Sequence, residues 1–157
     1  RVGSDVPYCV RGGTALAEGR GEVLTTLPAL PDCHVVLCKP AFSVPTPELF
    51  ARLDGCRIRR RPDADGLMAA LEQGDLMEVA RRMYNVFEDV LTHREGEIAA
   101  IKSRLLDGGA LGAVMSGTGS AVFGIFADAD SAAYAKRRLA RDYAECFLTE
   151  TIGRLEI

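Results

Sequence analysis

The stretch GAVMSGTGSAVFGIFAD, residues 112–128, constrains the fold of this chain more than any other part of the sequence. It contains two apolar runs separated by a turn with glycines at positions 117 and 119. This pattern predicts a β-hairpin, because glycine readily adopts the backbone conformations that tight turns between paired strands require. We therefore expect an antiparallel sheet that includes this hairpin.

Segments on both sides predict the elements that surround the hairpin. The run CHVVLCKP concentrates apolar residues over 35–38 and stops at Pro40, as is typical of a short buried strand. A last strand is predicted over 146–151. Helices are predicted over residues 46–53, 63–72, 76–91, 95–106 and 131–141.

The order of these elements predicts the fold class. Counted from Cys33, it is strand, several helices, strand, strand, helix, strand. This is the βαββαβ order of a ferredoxin-like antiparallel sheet, an α+β fold, with extra helices inserted in the first crossover. Segment 76–91 has the clearest helical period, near 3.6 residues, and predicts one continuous helix.

The start of the chain has a different pattern. Residues 8–27 predict two short strands joined by tight, glycine-rich connections, as at the edge of a sheet. We expect residues 1–30 to be a remnant of another unit, attached to a domain that comprises residues 31–157.

Composition limits the classes of function. The 157 residues are 48% hydrophobic and 26% charged, the balance of one soluble globular domain. A net charge of -3 predicts no nucleic-acid or anionic-membrane partner, and the basic run Arg57, Arg59, Arg60 and Arg61 is interpreted as a solvated loop. No apolar run has the length of a membrane span, so we expect a cytoplasmic protein.

Cysteine and histidine do not form a metal-binding pattern. The five cysteines contain no C-x-x-C pair, and several lie in apolar runs, which predicts reduced and mostly buried thiols. His34 and His93 are the only histidines and are far apart in the sequence. We therefore expect no metal site built from these residue types.

The turn Ser116-Gly117-Thr118-Gly119 is the first candidate site. It is not a P-loop, because Thr118 stands where that motif needs lysine, and Val122 replaces the third glycine of a dinucleotide-binding motif. Glycines at 117 and 119 could let backbone N–H groups face an anion. A plain hairpin turn and a phosphate neighbourhood both remain open.

Two further candidates lie earlier in the chain. Asp5 stands between Gly3 and Pro7, where a turn would present its carboxylate either to the local backbone or to a ligand. In SVPTPELF, residues 43–50, Thr46 is expected to cap a helix that begins at Pro47. Phe50 either packs inward or forms a pocket wall that stacks on a planar ligand.

Three segments together resemble a known enzyme family. GSDVPYCVRGGTALAEGRGE, KPAFSVPTPELF and GAVMSGTGSAVFGIF, in this order, are similar to landmarks of the 4-diphosphocytidyl-2-C-methyl-D-erythritol kinase family, within the GHMP kinase superfamily. The resemblance covers nearly the whole chain. SGTGSAVFG resembles a glycine motif shared across the superfamily, whereas the first segment is closer to the one family.

The resemblance implies an ATP-dependent kinase that acts on a tertiary hydroxyl of 4-diphosphocytidyl-2-C-methyl-D-erythritol, in the non-mevalonate route to isoprenoid precursors. It implies that Asp5 is the catalytic base and that Thr46 and Phe50 bind substrate, with Phe50 stacked on cytosine. Ser116, Gly117, Thr118 and Gly119 match the turn beside the nucleotide-binding loop. ATP and Mg²⁺ are the implied cofactors.

The departures from the family pattern are equally informative. The family's glycine-rich ATP loop, catalytic lysine and Tyr-His pair precede its G-x-D-V-P segment, and none of them occurs in these residues. The resemblance therefore implies the C-terminal part of a kinase, in which residues 1–30 are a remnant of the N-terminal kinase domain. We expect this chain alone to be inactive and to lack most of the binding site for ATP and Mg²⁺.

Two alternatives remain open at this point. One is another GHMP kinase, of the homoserine or mevalonate type. The other is a stand-alone ferredoxin-like module that binds a small molecule, in which Asp5 and the glycine turn are structural. The sequence does not predict the oligomeric state.

Overall fold

A computed structural model describes residues 3–58, 60–91 and 95–152 of the chain. The strands are β1 (Ala15–Glu18), β2 (Val23–Thr26), β3 (His34–Lys39), β4 (Gly112–Met115), β5 (Val122–Phe126) and β6 (Glu145–Glu150). The helices are α1 (Val6–Arg11), α2 (Thr46–Asp54), α3 (Ala64–Glu72), α4 (Leu76–Arg82), α5 (Glu95–Asp107) and α6 (Ala129–Leu139), with a 3₁₀ helix at Val86–Val90.

Four strands form an antiparallel sheet in the order β4-β5-β3-β6. His34 of β3 lies opposite Phe126 of β5 on one side and Glu150 of β6 on the other. These pairs define the register of β5, β3 and β6. The predicted βαββαβ order and the α+β fold class are therefore confirmed, as is the hairpin of β4 and β5.

Helices pack against both faces of this sheet. Successive side chains of a strand point to opposite faces, so neighbouring residues of β3 contact different helices. Val36 belongs to the main core, which it shares with Ile101 and Leu105 of α5 and with Leu139 of α6. Its neighbour Val35 belongs to a second cluster that includes Ala80 of α4 and Leu30. The sheet is thus a central layer, and the hairpin turn lies at its end.

The N-terminal segment differs from its prediction at one point. Residues 6–11 form α1, where the first strand was expected to begin by residue 8, and β1 and β2 then pair in a separate two-stranded sheet. Pro7 in the first turn favours this helix, because its fixed φ is helical and its missing N–H costs nothing there. The division of the chain near residue 30 stays a prediction.

The continuous helix predicted over 76–91 is wrong. α4 ends at Arg82, Met83 adopts ψ 122°, and Asn85 is extended before the 3₁₀ helix begins. The apolar spacing is real, since Val79, Ala80 and Val90 are all buried. At the break, the Asn85 side chain accepts the Phe87 N–H, a local bond that competes with helix continuation, and donates to the distant carbonyls of Met115 and Gly117.

The remaining predictions concern side-chain environments. Cys33, Cys38 and Cys146 are buried, Cys9 and Cys56 are exposed, and all five are free thiols. Arg57, Arg60 and Arg61 are exposed, whereas Arg59 and His93 lie outside the described residues. No helix in the described ranges has the length and apolarity needed to cross a membrane.

Candidate functional site

The glycine turn, residues 116–119, connects β4 to β5 in a conformation that requires glycine. Gly117 has φ +54° and Gly119 has φ +86°, and both values lie in the left-handed region that side chains with a Cβ rarely adopt. The space beside the Gly117 Cα is open, whereas a Cβ on Gly119 would lie 2.7 Å from the Met115 sulfur. Gly117 therefore presents accessible backbone, and Gly119 permits close packing.

Segment 40–46 is hydrogen-bonded both to this turn and to Ser120, the residue that follows it. Ser120 is buried, and its hydroxyl donates to the backbone carbonyl of Phe42 and, at 3.4 Å, to that of Pro40. The hydroxyls of Thr46 and Thr118 lie 3.0 Å apart and share a hydrogen bond. Two of the segments identified in the sequence therefore meet in space.

This contact corrects the expected role of Thr46. Thr46 is the first residue of α2, Pro45 occupies the cap position, and no side chain caps the helix. Pro47 has no N–H, so the N-terminus of the helix has one fewer unpaired donor for a cap to satisfy. The Thr46 hydroxyl is thus left to bond with the glycine turn.

Phe50 lies one helical turn beyond Thr46 on α2. Its neighbour Leu49 is fully buried and anchors the helix, whereas the Phe50 side chain is 49% exposed. The Phe50 ring meets that of Phe87 edge-on, with centroids 5.0 Å apart and an interplanar angle of 74°. Phe50 is therefore supported from one side and keeps an exposed ring surface, which favours the pocket-wall interpretation over inward packing.

A cavity of about 840 Å³ lies between the end of α2 and the 3₁₀ helix. Its lining includes Leu53, Cys56, Arg57, Ile58, Val86 and Asp89. Tyr84 donates a hydrogen bond to Asp89, and this bond raises the pKa of the phenol. Arg57 and Asp89 both line the cavity, so its wall carries both signs of charge. The guanidinium of Arg60 lies 4.6 Å from the centre of the Tyr84 ring.

Asp5 stands in the turn that precedes α1. Its backbone carbonyl accepts the Cys9 N–H at 3.0 Å, but its exposed side chain does not cap the helix. The local-acceptor interpretation of this carboxylate is therefore wrong for the α1 N-terminus. Within the described ranges, neither a hydrogen bond nor an ion pair connects Asp5 to the glycine turn.

The buried thiols are unsuited to nucleophilic chemistry. Burial raises the pKa of Cys38 to about 12, and Cys146, its partner across β3 and β6, adds to the effect. Burial also raises the pKa of Cys33 and of Cys146. These thiols stay protonated near neutral pH, and the thiolate is the reactive form.

Asn85 and Glu88 are site residues that sequence reasoning missed. The Asn85 side-chain amide donates to the carbonyls of Met115, at 2.8 Å, and Gly117, at 2.7 Å. Glu88 accepts the Met115 N–H at 2.7 Å and pairs with Lys102 through its other oxygen. The signal in the sequence was a single polar amide inside an apolar helical pattern, which is unfavourable for a continuous helix.

Comparison with known families identifies the fold and its relatives. The family described as GHMP kinases C terminal matches residues 67–145, half of the chain. The 4-diphosphocytidyl-2-C-methyl-D-erythritol kinase of Syntrophomonas wolfei subsp. wolfei is 42% identical over 147 residues, which are 94% of this chain and 52% of the relative. The enzyme of the same name from Clostridium novyi is 41% identical over 152 residues, 97% of this chain and 54% of the relative.

Solved structures agree with this result. The crystal structure of a 4-(cytidine 5'-diphospho)-2C-methyl-D-erythritol kinase superposes with a TM-score of 0.76 at 28% identity, over 94% of this chain and 53% of that one. A homoserine kinase from Cytophaga hutchinsonii reaches 0.70 at 20% identity, over 95% of this chain and 51% of that one, which shows a shared fold. The chain spans about half the length of the curated relatives it matches.

Proposed function

The chain belongs to the GHMP kinase C-terminal family, and from this premise we propose that it forms the substrate-side part of an ATP-dependent kinase. The proposed substrate is 4-diphosphocytidyl-2-C-methyl-D-erythritol, and the proposed reaction is phosphorylation of its tertiary hydroxyl in isoprenoid precursor synthesis. The relatives that carry this name share about 40% of their residues with the chain over almost its whole length, which supports the choice of substrate.

One geometric observation carries the proposal. The Thr46 hydroxyl contacts Thr118, so the segment that bears Phe50 is joined directly to the glycine turn. A substrate with a planar base at one end and a diphosphate nearby needs an aromatic surface and an anion-tolerant turn on one wall. Phe50 and residues 116–119 supply these two features side by side.

Asp5 is the proposed catalytic base. In the transfer, the substrate O–H bond breaks, a new O–P bond forms, and the bond between the transferred phosphorus and its leaving oxygen breaks. A carboxylate that accepts the hydroxyl proton orients the nucleophile and takes up the proton late in the step. The side chain of Asp5 is exposed and not used as a cap, so it is available for this role.

The described residues fit part of an ATP site. Open space beside Gly117 and its left-handed backbone allow a phosphate group to approach closely. Bound ATP would supply the transferred phosphoryl group. We propose that Mg²⁺ is held mainly by the phosphates and by the ATP-binding half, because Mg²⁺ in kinase sites is bound through substrate phosphates and only one or two carboxylates.

A competition assay tests the proposal. The protein that contains these 157 residues together with an ATP-binding half should phosphorylate the cytidine diphosphate substrate, and not homoserine or mevalonate. Comparable phosphorylation of homoserine or mevalonate would overturn the assignment of substrate.

The chain of 157 residues provides a second test. Assayed alone, it should show no substrate-dependent ATP hydrolysis above the matched variant Asp5→Asn. Hydrolysis above that control would contradict the proposal that the chain is only the substrate-side part.

A further inference from the structure

Three hydrogen bonds hold the carboxamide of Asn85. Both of its N–H groups donate, to the carbonyls of Met115 and Gly117, and its oxygen accepts the Phe87 N–H at 3.0 Å. An asparagine that makes two donated bonds and one accepted bond has one allowed orientation of its amide. Asn85 is also the single asparagine of the sequence.

The position of these bonds on the sheet explains their importance. β4 is an edge strand, and Ser116 donates its N–H to Ala121 across the hairpin. Because backbone groups alternate in direction along an antiparallel pair, the N–H and C=O of Met115 point away from β5. Glu88 accepts the N–H and Asn85 donates to the C=O, so two side chains replace a missing neighbouring strand.

The same carboxamide reaches the aromatic side of the site. Its oxygen holds the backbone of Phe87, and the Phe87 ring supports Phe50 edge-on. One side chain therefore bonds both to the turn assigned to the phosphates and to the residue that supports the proposed base-stacking ring.

We propose that Asn85 is a positioning residue for phosphoryl transfer, which fixes the glycine turn relative to the Phe50–Phe87 pair. The kinetic part of this inference rests on the proposed function. A small displacement of one binding element relative to another costs about a hundredfold in rate when reacting groups must stay aligned. Asn85 contacts no reacting atom in this proposal, and it acts through Gly117 and Phe87.

Substitution by aspartate separates positioning from capping. Asn85→Asp keeps an oxygen that accepts the Phe87 N–H, but it replaces two donors with a carboxylate oxygen that faces two carbonyl oxygens. Asp128→Ala is the matched control, because Asp128 caps α6 through the Ser131 N–H and has no bond to the glycine turn. If Asn85 served only as a cap, Asn85→Asp would behave like the unsubstituted protein.

Nuclear magnetic resonance tests the geometry without kinase activity. Labelling this chain with ¹⁵N-asparagine gives one side-chain amide, and its protons should exchange about tenfold or more slowly than those of an exposed asparagine. In uniformly labelled Asn85→Asp, the amide signals of Gly117, Thr118 and Gly119 should shift, while Asp128→Ala should leave them in place. Rapid exchange of the Asn85 amide, or an unmoved turn in Asn85→Asp, would overturn the proposal.

Kinetics on the complete kinase test the consequence. We expect Asn85→Asp to lower kcat at least about tenfold while KM for the cytidine substrate changes less than about threefold, because the turn moves and Phe50 stays in place. Asp128→Ala should leave both constants unchanged. An equal loss of kcat in both variants would indicate a general structural effect and contradict positioning. If the unsubstituted kinase were inactive, the proposed function would be refuted, and the resonance experiment alone would decide the role of Asn85.

Discussion

The glycine turn and the Asp5 turn are both proposed to work on the same substrate, yet they are held in very different ways. Gly117 and Thr118 of the glycine turn bond to Asn85 and Thr46, and the adjacent Ser120 bonds to segment 40–42. These partners all lie 30 or more residues away along the chain. The hydrogen bond of the Asp5 backbone reaches only Cys9. The glycine turn is therefore held by hydrogen bonds to distant segments, whereas the described hydrogen bond of Asp5 is local.

The two turns also differ in how deeply their surroundings are buried, and this difference matches the separate roles proposed for them. The surroundings of the glycine turn, residues 112–126, are mostly buried and fastened to helices on both sides of the sheet. Asp5 and α1 have no buried residue, and Val6, Tyr8 and Val10 expose apolar surface. The elements proposed to position the substrate are thus held by buried packing, whereas Asp5, the proposed catalytic base, precedes a helix with no buried residue.

The largest expected effect comes from a substitution in the Asp5 turn. In the complete kinase, Asp5→Asn should lower kcat by about 10²- to 10⁴-fold, the usual contribution of a general base. Its unfolding midpoint should not change, because the carboxylate makes no capping bond. Steady-state kinetics and urea unfolding measure the two quantities, and a variant with near-normal kcat would remove Asp5 from the mechanism.

The next effect concerns stability in the two regions. Phe126→Ala should lower the free energy of unfolding by about 3–5 kcal/mol, because the Phe126 ring is fully buried in the main core. Val10→Ala, at a side chain that is 77% exposed on α1, should change it by less than about 0.5 kcal/mol. Equal losses in urea unfolding would show that α1 is packed more tightly than its exposure indicates.

A third test compares the two glycines of the glycine turn. Gly119→Ala should cost about 2–3 kcal/mol, since the left-handed backbone is strained by a Cβ and Met115 must also move. Gly117→Ala should cost only about 1 kcal/mol, because open space surrounds the added methyl group. Thermal unfolding measures both, and the reverse order would contradict the packing of Met115 against the turn.

The smallest effect concerns the bond between the two motifs. Thr46→Val removes the hydroxyl that bonds to Thr118 and should cost about 0.5–1 kcal/mol, because the bond is exposed to solvent. The double variant with Thr118→Val should cost less than the sum of the two single changes. Strict additivity in this cycle would show that the two hydroxyls do not interact in solution.

Much of the fold could be predicted from the sequence because its signals are local. The hairpin of β4 and β5 follows from two apolar runs around glycines, and the helix at 64–72 is capped by Asp63, which accepts the Gly66 N–H. Helix α5 ends next to Gly108 and Gly109, as expected. Each of these features depends on residues within a few positions of one another.

The candidate site was predictable in part. The glycine turn, Asp5, Thr46 and Phe50 were singled out from the sequence, and the resemblance implied a catalytic role for Asp5 and a substrate-binding role for Thr46. Thr46 does not cap its helix, and Asn85 was taken for a residue inside a helix. Both errors have one cause: the polar groups bond to partners far away along the chain, and helical periodicity carries no information about such partners.

By itself, the sequence determined the strand and helix order, the glycines that the turn requires, and the apolar faces that form the core. Only the tertiary structure decided that α4 stops at Arg82 and that Thr46 and Asn85 turn toward the glycine turn. The physical reason is that a backbone segment follows its local preference until a more favourable distant hydrogen bond becomes available. For Asn85 that alternative exists only once β4 has become the edge of a folded sheet.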